Sequence, residues 1–157
     1  MAAPKAKTLQ ERFGFLDADL KKPLHDEMIQ WIDSNIEDIL MLLFSLQSRP
    51  KEVVTRWETV VRQTEEGGMM IGFIDLSARW ACGETRVLFE AKTTIDSLGE
   101  LFRQVRMYQE GFVASERVWR MPLVVVCPDD THANLIRRQR LHFLKYDPTQ
   151  VFALGGV

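Results

Sequence analysis

The chain has 157 residues, 46% of them apolar and 27% charged, and a net charge of −2 from 20 basic and 22 acidic side chains. A chain of this size suits one domain with a core of its own, and the composition excludes a disordered, collagen-like or low-complexity protein. The near-neutral balance does not announce a nucleic-acid binder, so any such role must rest on a local arrangement of charge.

Cys82 and Cys127 stand far apart and form no CxxC pair, which argues against a disulfide scaffold or a cysteine zinc site. No apolar run is long enough to cross a bilayer. The opening residues, MAAPKAKTLQER, lack the apolar segment of a signal peptide. A reducing, cytoplasmic setting without membrane contact is the expectation.

Residues 1–22 read as a polar arm and 23–157 as a single domain. Pro23 suits the first turn of a helix, where its missing N–H costs nothing. Leu24, Met28, Trp31, Ile32, Ile36, Ile39, Leu40 and Leu43 recur at three- and four-residue steps and predict one helix over 24–46. Residues 52–63, 69–80 and 86–92 read as three strands joined by tight turns at TEEGG (64–68) and ACGET (81–85). In the second strand Met70, Gly72, Ile74 and Leu76 should alternate against Ile71, Phe73 and Asp75.

Ser97-x-x-Glu100 matches a capping box and opens a second helix that carries Leu98, Leu101, Phe102 and Val105, with Gly111 weakening its end. The continuous apolar run 121–127 reads as a strand buried on both faces. A short basic helix over 131–140 and a strand over 141–146 complete the order α-β-β-β-α-β-α-β. This is an α/β chain of the α+β type, with helices packed on a mixed central sheet.

Asp75 lies in the otherwise apolar stretch GFIDL of the second strand, and Glu90 and Lys92 lie at the end of the third. Glu90 and Lys92 share one face, with Ala91 opposite, and pairing of the second and third strands would bring Asp75 to Glu90. Carboxylates buried together repel and lose their water. A hard divalent cation relieves that cost, and Mg2+ suits one or two carboxylates plus a phosphate. A neighbouring lysine would orient water.

Asp75, fourteen intervening residues and then Glu90-Ala91-Lys92 resemble the PD-(D/E)xK nuclease signature. The helix, three strands, helix and strand over about 24–127 resemble that superfamily's restriction-endonuclease-like core. Ile74 stands where the motif name has proline. Gln104-Val105-Arg106-Met107-Tyr108 is similar to the QxxxY motif of recombination-type exonucleases.

The resemblance implies a Mg2+-dependent deoxyribonuclease, with Mn2+ as a substitute. Its metal ligands would be Asp75, Glu90 and the Ala91 carbonyl, with Lys92 as the water-orienting catalytic group. It also places Gln104 and Tyr108 beside the metal and on the nucleic acid. A first-helix glutamate often supports the metal in this family. Glu27 is the candidate, with His25, Asp26 and Glu58 as alternatives.

Arg103 and Arg106 flank Gln104 and would either contact phosphate or pair with Glu100 and Glu110. DNA is the expected partner, with RNA left open, as are exo- and endonuclease action. One small domain has no room for a separate sequence-reading module, so specificity would need a homodimer or a partner protein that delivers DNA. The alternative is a catalytically silent nuclease-fold module that binds nucleic acid or protein. Arg137, Arg138 and Arg140, with His132, read as a solvated face. The four tryptophans, Trp31, Trp57, Trp80 and Trp119, read as core or edge packing.

Overall fold

The computed structural model describes residues 23–80 and 86–152. The polar arm at 1–22, the turn at 81–85 and Cys82 lie outside the described residues.

Helices α1 (Pro23–Ser34) and α2 (Ile36–Phe44) replace the single helix expected over 24–46. The break is at Asn35, whose φ of −117° and ψ of 23° leave the helical region. Its side-chain amide donates to the Trp31 carbonyl at 2.9 Å, so a local polar bond competes with the helical ladder. Strands β1 (Val54–Thr64), β2 (Gly67–Arg79) and β3 (Val87–Ala91) follow as an antiparallel meander. Gly67 and Gly68 take φ of 125° and 71° just after the Glu65–Glu66 turn, a conformation glycine accepts without steric cost.

Helix α3 (Leu98–Gln109) starts as the capping box requires, with the Glu100 N–H donating to Ser97 Oγ at 3.2 Å. It crosses to two short strands that the sequence pattern does not predict, β4 (Phe112–Val113) and β5 (Glu116–Arg117), and then to a 3-10 turn at Val118–Arg120. Strand β6 (Leu123–Cys127), helix α4 (Ala133–Arg138) and strand β7 (His142–Lys145) end the described chain.

The seven strands form one mixed sheet in the order β5-β4-β1-β2-β3-β6-β7. β3, β6 and β7 run parallel, and all five residues of β3 and of β6 are buried, as strands covered on both faces require. One layer of core joins α1 and α2 to Leu76, Ala78, Phe89, Val124 and Val126. The other joins α3 and α4 to Val61, Ile74, Leu88, Val125 and Phe143.

Ile74 and Leu76 are two residues apart, yet they pack in opposite layers, so the strict alternation expected for β2 fails at Asp75. Across the β1–β2 ladder, between the Trp57–Leu76 and Thr59–Ile74 pairs, stands Glu58 with φ of 46°. The two strands change phase together at this step. Trp119 also departs from expectation: it is 62% exposed rather than packed.

Gly111 is needed for a close approach. A Cβ there would meet Val61 Cγ1, with the Arg62 carbonyl oxygen at 2.9 Å and Ile71 Cδ1 at 3.0 Å. Gly111→Ala should therefore destabilise the protein by about 1–3 kcal/mol, the usual cost of overpacking. Urea unfolding checks this: the midpoint should fall with an unchanged slope.

Candidate functional site

The antiparallel register runs from Ala78–Val87 to Leu76–Phe89, and one further step places Asp75 beside Glu90. Both are buried. The Asp75 N–H lies 3.4 Å from Glu90 Oε1, and the Ala91 N–H donates to Asp75 Oδ2 at 2.8 Å. Lys92 Nζ stands 3.5 Å from Glu90 Oε2. The Lys92 N–H donates to the Val126 carbonyl at 2.8 Å, which fixes the end of β3 against β6. The structure thus brings Asp75, Glu90, Ala91 and Lys92 together.

The first helix supplies His25. Its Nε2 lies 3.2 Å from Asp75 Oδ2, and the histidine is buried. His25, Met28, Ile29 and Ile32 form the inward stripe of α1, at helical steps of three and four. Glu27 falls off that stripe. It is exposed, and its charge instead helps burial to raise the pKa of Tyr146. The first-helix residue beside Asp75 is therefore His25, named above as an alternative to Glu27. Asp26 is half-buried, and Glu58 is buried across the ladder from Asp75.

Burial pushes the Asp75 carboxyl upward, but His25, Lys92 and the Ala91 N–H together outweigh it and hold the group below the ordinary carboxylate range. The carboxylate is thus anionic at neutral pH.

The helix α3 pair is also formed. Gln104 Nε2 donates to the Tyr108 hydroxyl at 3.1 Å. The buried Tyr108 ring lies over Gly72, where an added Cβ would sit 2.9 Å from its Cε1. Gly72 precedes Asp75 by three residues, roughly 10 Å along the strand. Arg103 is committed to Glu100, Nη2 to Oε2 at 2.6 Å, with both side chains exposed. Arg106 is exposed beside Phe102 and Glu110. Arg137, Arg138 and Arg140 are exposed, as a solvated face requires.

The donor set near Asp75 is two carboxylates and an imidazole, with the Ala91 carbonyl on the same strand end. That chemistry suits a divalent ion. Among the described residues, however, no group of three or more His, Cys, Asp or Glu side chains is gathered in a metal-holding arrangement. The carboxylates face His25 and Lys92 instead, so binding an ion would require these pairings to open.

Ionised Asp75 has a folded-state pKa below its unfolded value. The stability it contributes is complete above the unfolded value and is lost as pH falls through the folded one. His25→Ala removes the largest influence that lowers the Asp75 pKa, so the acid-unfolding midpoint should move to higher pH. Circular dichroism during acid titration reads this directly. An unchanged midpoint would show that His25 does not hold the carboxylate.

Comparison with known proteins finds no protein family, no curated protein and no solved structure that matches the chain.

Proposed function

We propose that this chain is a divalent-metal-dependent nuclease with a restriction-endonuclease-like core, hydrolysing DNA phosphodiester bonds. The observation that carries this reading is the buried Asp75–Glu90 pair with Lys92 Nζ 3.5 Å from Glu90 Oε2. Two buried carboxylates and an ammonium at one strand end are expensive to assemble for stability alone. The strained Glu58 backbone at the same ladder step supports the reading, since such conformations cluster at functional sites.

Asp75, Glu90 and the Ala91 carbonyl would hold Mg2+ or Mn2+, with His25 as the first-helix donor. An ion held there would polarise the phosphoryl group and acidify water. Lys92 orients the attacking water and offsets charge developing on the phosphoryl oxygens. Gln104 and the buried Tyr108, tied to each other, hold α3 against β2 beside the site. The same reading sets the protein in the cytoplasm; no helix among the described residues is long and apolar enough to cross a membrane.

One observation favours the silent-module alternative: His25 and Lys92 already contact the carboxylates. Calorimetric titration with Mn2+ separates the two readings, because a silent module would bind no divalent ion.

Lys92→Ala and Asp75→Asn should each lower cleavage by at least about 10²-fold, the scale expected when one charge-stabilising group is lost. The assay is digestion of labelled linear and circular DNA with Mg2+, Mn2+ or EDTA. Cutting that survives in both variants would end this assignment.

A further inference from the structure

The sequence directs attention to the arginines of α3 and α4, but the largest gathering of guanidinium groups lies elsewhere. A groove of about 440 Å³ runs along β1 beside the β4–β5 turn, and Arg56, Arg62, Arg79 and Arg86 line it. The register explains the gathering. Arg56 pairs with Ser77, and extending the β2–β3 ladder one step past Ala78–Val87 sets Arg79 against Arg86.

Like charges have thus been brought together on neighbouring strands. Burial lowers the pKa of Arg86, and Arg79 and Arg56 lower it further, while Glu116 opposes them. Among the described residues none of Arg56, Arg79 and Arg86 is held in an ion pair. The floor is polar as well: the buried hydroxyls of Thr59 and Ser77 stand 2.6 Å apart. Glu65 and Glu66 make the far end acidic, so the positive field is concentrated toward Arg56, Arg79 and Arg86.

Like charges so placed favour an anionic ligand, and guanidinium forks suit phosphate oxygens. The groove also lies close to the candidate site along the sheet. Ser77 is two residues from Asp75 on β2, and its partner Leu88 is two residues from Glu90 on β3. That is roughly 7 Å of strand. Arg79 and Arg86 lie about 13 Å from the carboxylates on the same strands, the length of about four nucleotides of a duplex strand.

We infer that this groove is the track for the nucleic-acid backbone, with Arg56, Arg79 and Arg86 contacting phosphates that neighbour the one at Asp75 and Glu90. Its placement relative to the scissile phosphate rests on the nuclease reading, but backbone binding itself does not.

The test is fluorescence anisotropy of the full chain with labelled single- and double-stranded DNA in EDTA, across a salt series. Arg56→Gln/Arg79→Gln/Arg86→Gln should weaken binding at least tenfold. It should also flatten the plot of log K against log salt by about 2–3, at roughly 0.7–0.9 for each phosphate that is no longer neutralised. Arg56 and Arg79 are exposed, so the double variant keeps the test if the half-buried Arg86 substitution prevents folding.

Unchanged affinity and slope in folded variants would overturn the groove while leaving the nuclease reading in place. Conversely, Lys92→Ala and Asp75→Asn that both still cut, beside groove variants that no longer bind, would support the groove and remove the catalytic assignment. A wild-type chain that binds no DNA but binds anionic phosphatidylserine vesicles through these arginines would overturn the nucleic-acid assignment.

Discussion

Asp75 and Glu90 share one step of the β2–β3 ladder, both buried, and the elements around them are arranged so that this is tolerable. Desolvating an ion costs roughly several kcal/mol even after relaxation, and two like charges add repulsion. Three elements answer that cost. α1 brings His25 to Asp75, the β3 backbone donates the Ala91 N–H, and the residue after β3 sets Lys92 beside Glu90. Removing any one leaves a buried charge worse off, so the site and the stability of the central strands are coupled.

The backbone is bent to make room for this. In an ideal strand Ile74 and Leu76 would share a face, with Asp75 pointing the other way. Here they enter opposite core layers, and Glu58 across the ladder has left the β region. The phase change gives Asp75 access to a helix on one side of the sheet and to the next strand on the other. β6 holds the arrangement firm. It is buried throughout, parallel to β3, and it anchors the Lys92 N–H through the Val126 carbonyl. The strands are buried and paired where the carboxylates need support, and the backbone departs from regularity at the ladder step that carries them.

Much of this is legible in the sequence because the signals are local. The capping serine, the hairpin glycines and the buried run 121–127 each encode their structure within a few residues. The four strands 54–64, 67–79, 87–91 and 123–127 fall close to their expected ranges. The approach of Asp75 to Glu90 follows from strand alternation and hairpin pairing. What is not legible depends on phase or on distance. The apolar rhythm runs through Asn35 without a gap, so the helix break is hidden. That His25 rather than Glu27 lies beside Asp75 is a matter of helical phase, carried by the 25-28-29-32 stripe. β4 and β5 are two residues each, too short for any period to show. The groove arginines come from separate strands, so only the register unites them.

Register also decides how a chain of net charge −2 would handle a polyanion. β2 carries Asp75 and, four residues on, Arg79; Glu90 of β3 follows Arg86, just before that strand, by four residues, and antiparallel pairing sorts them into like-signed groups. The separation of roughly 13 Å along the strand exceeds the Debye length of about 8 Å at physiological salt, so in solvent each group acts on a ligand largely on its own. Burial sharpens the contrast, since the carboxylates lie in the low-dielectric core and the arginines face the groove. Net charge, summed over 20 basic and 22 acidic side chains, hides both regions. On the proposed reading, the arginines attract the backbone by long-range steering, while the carboxylates act only on what has already docked. A bulk charge near zero is therefore no evidence against either local arrangement.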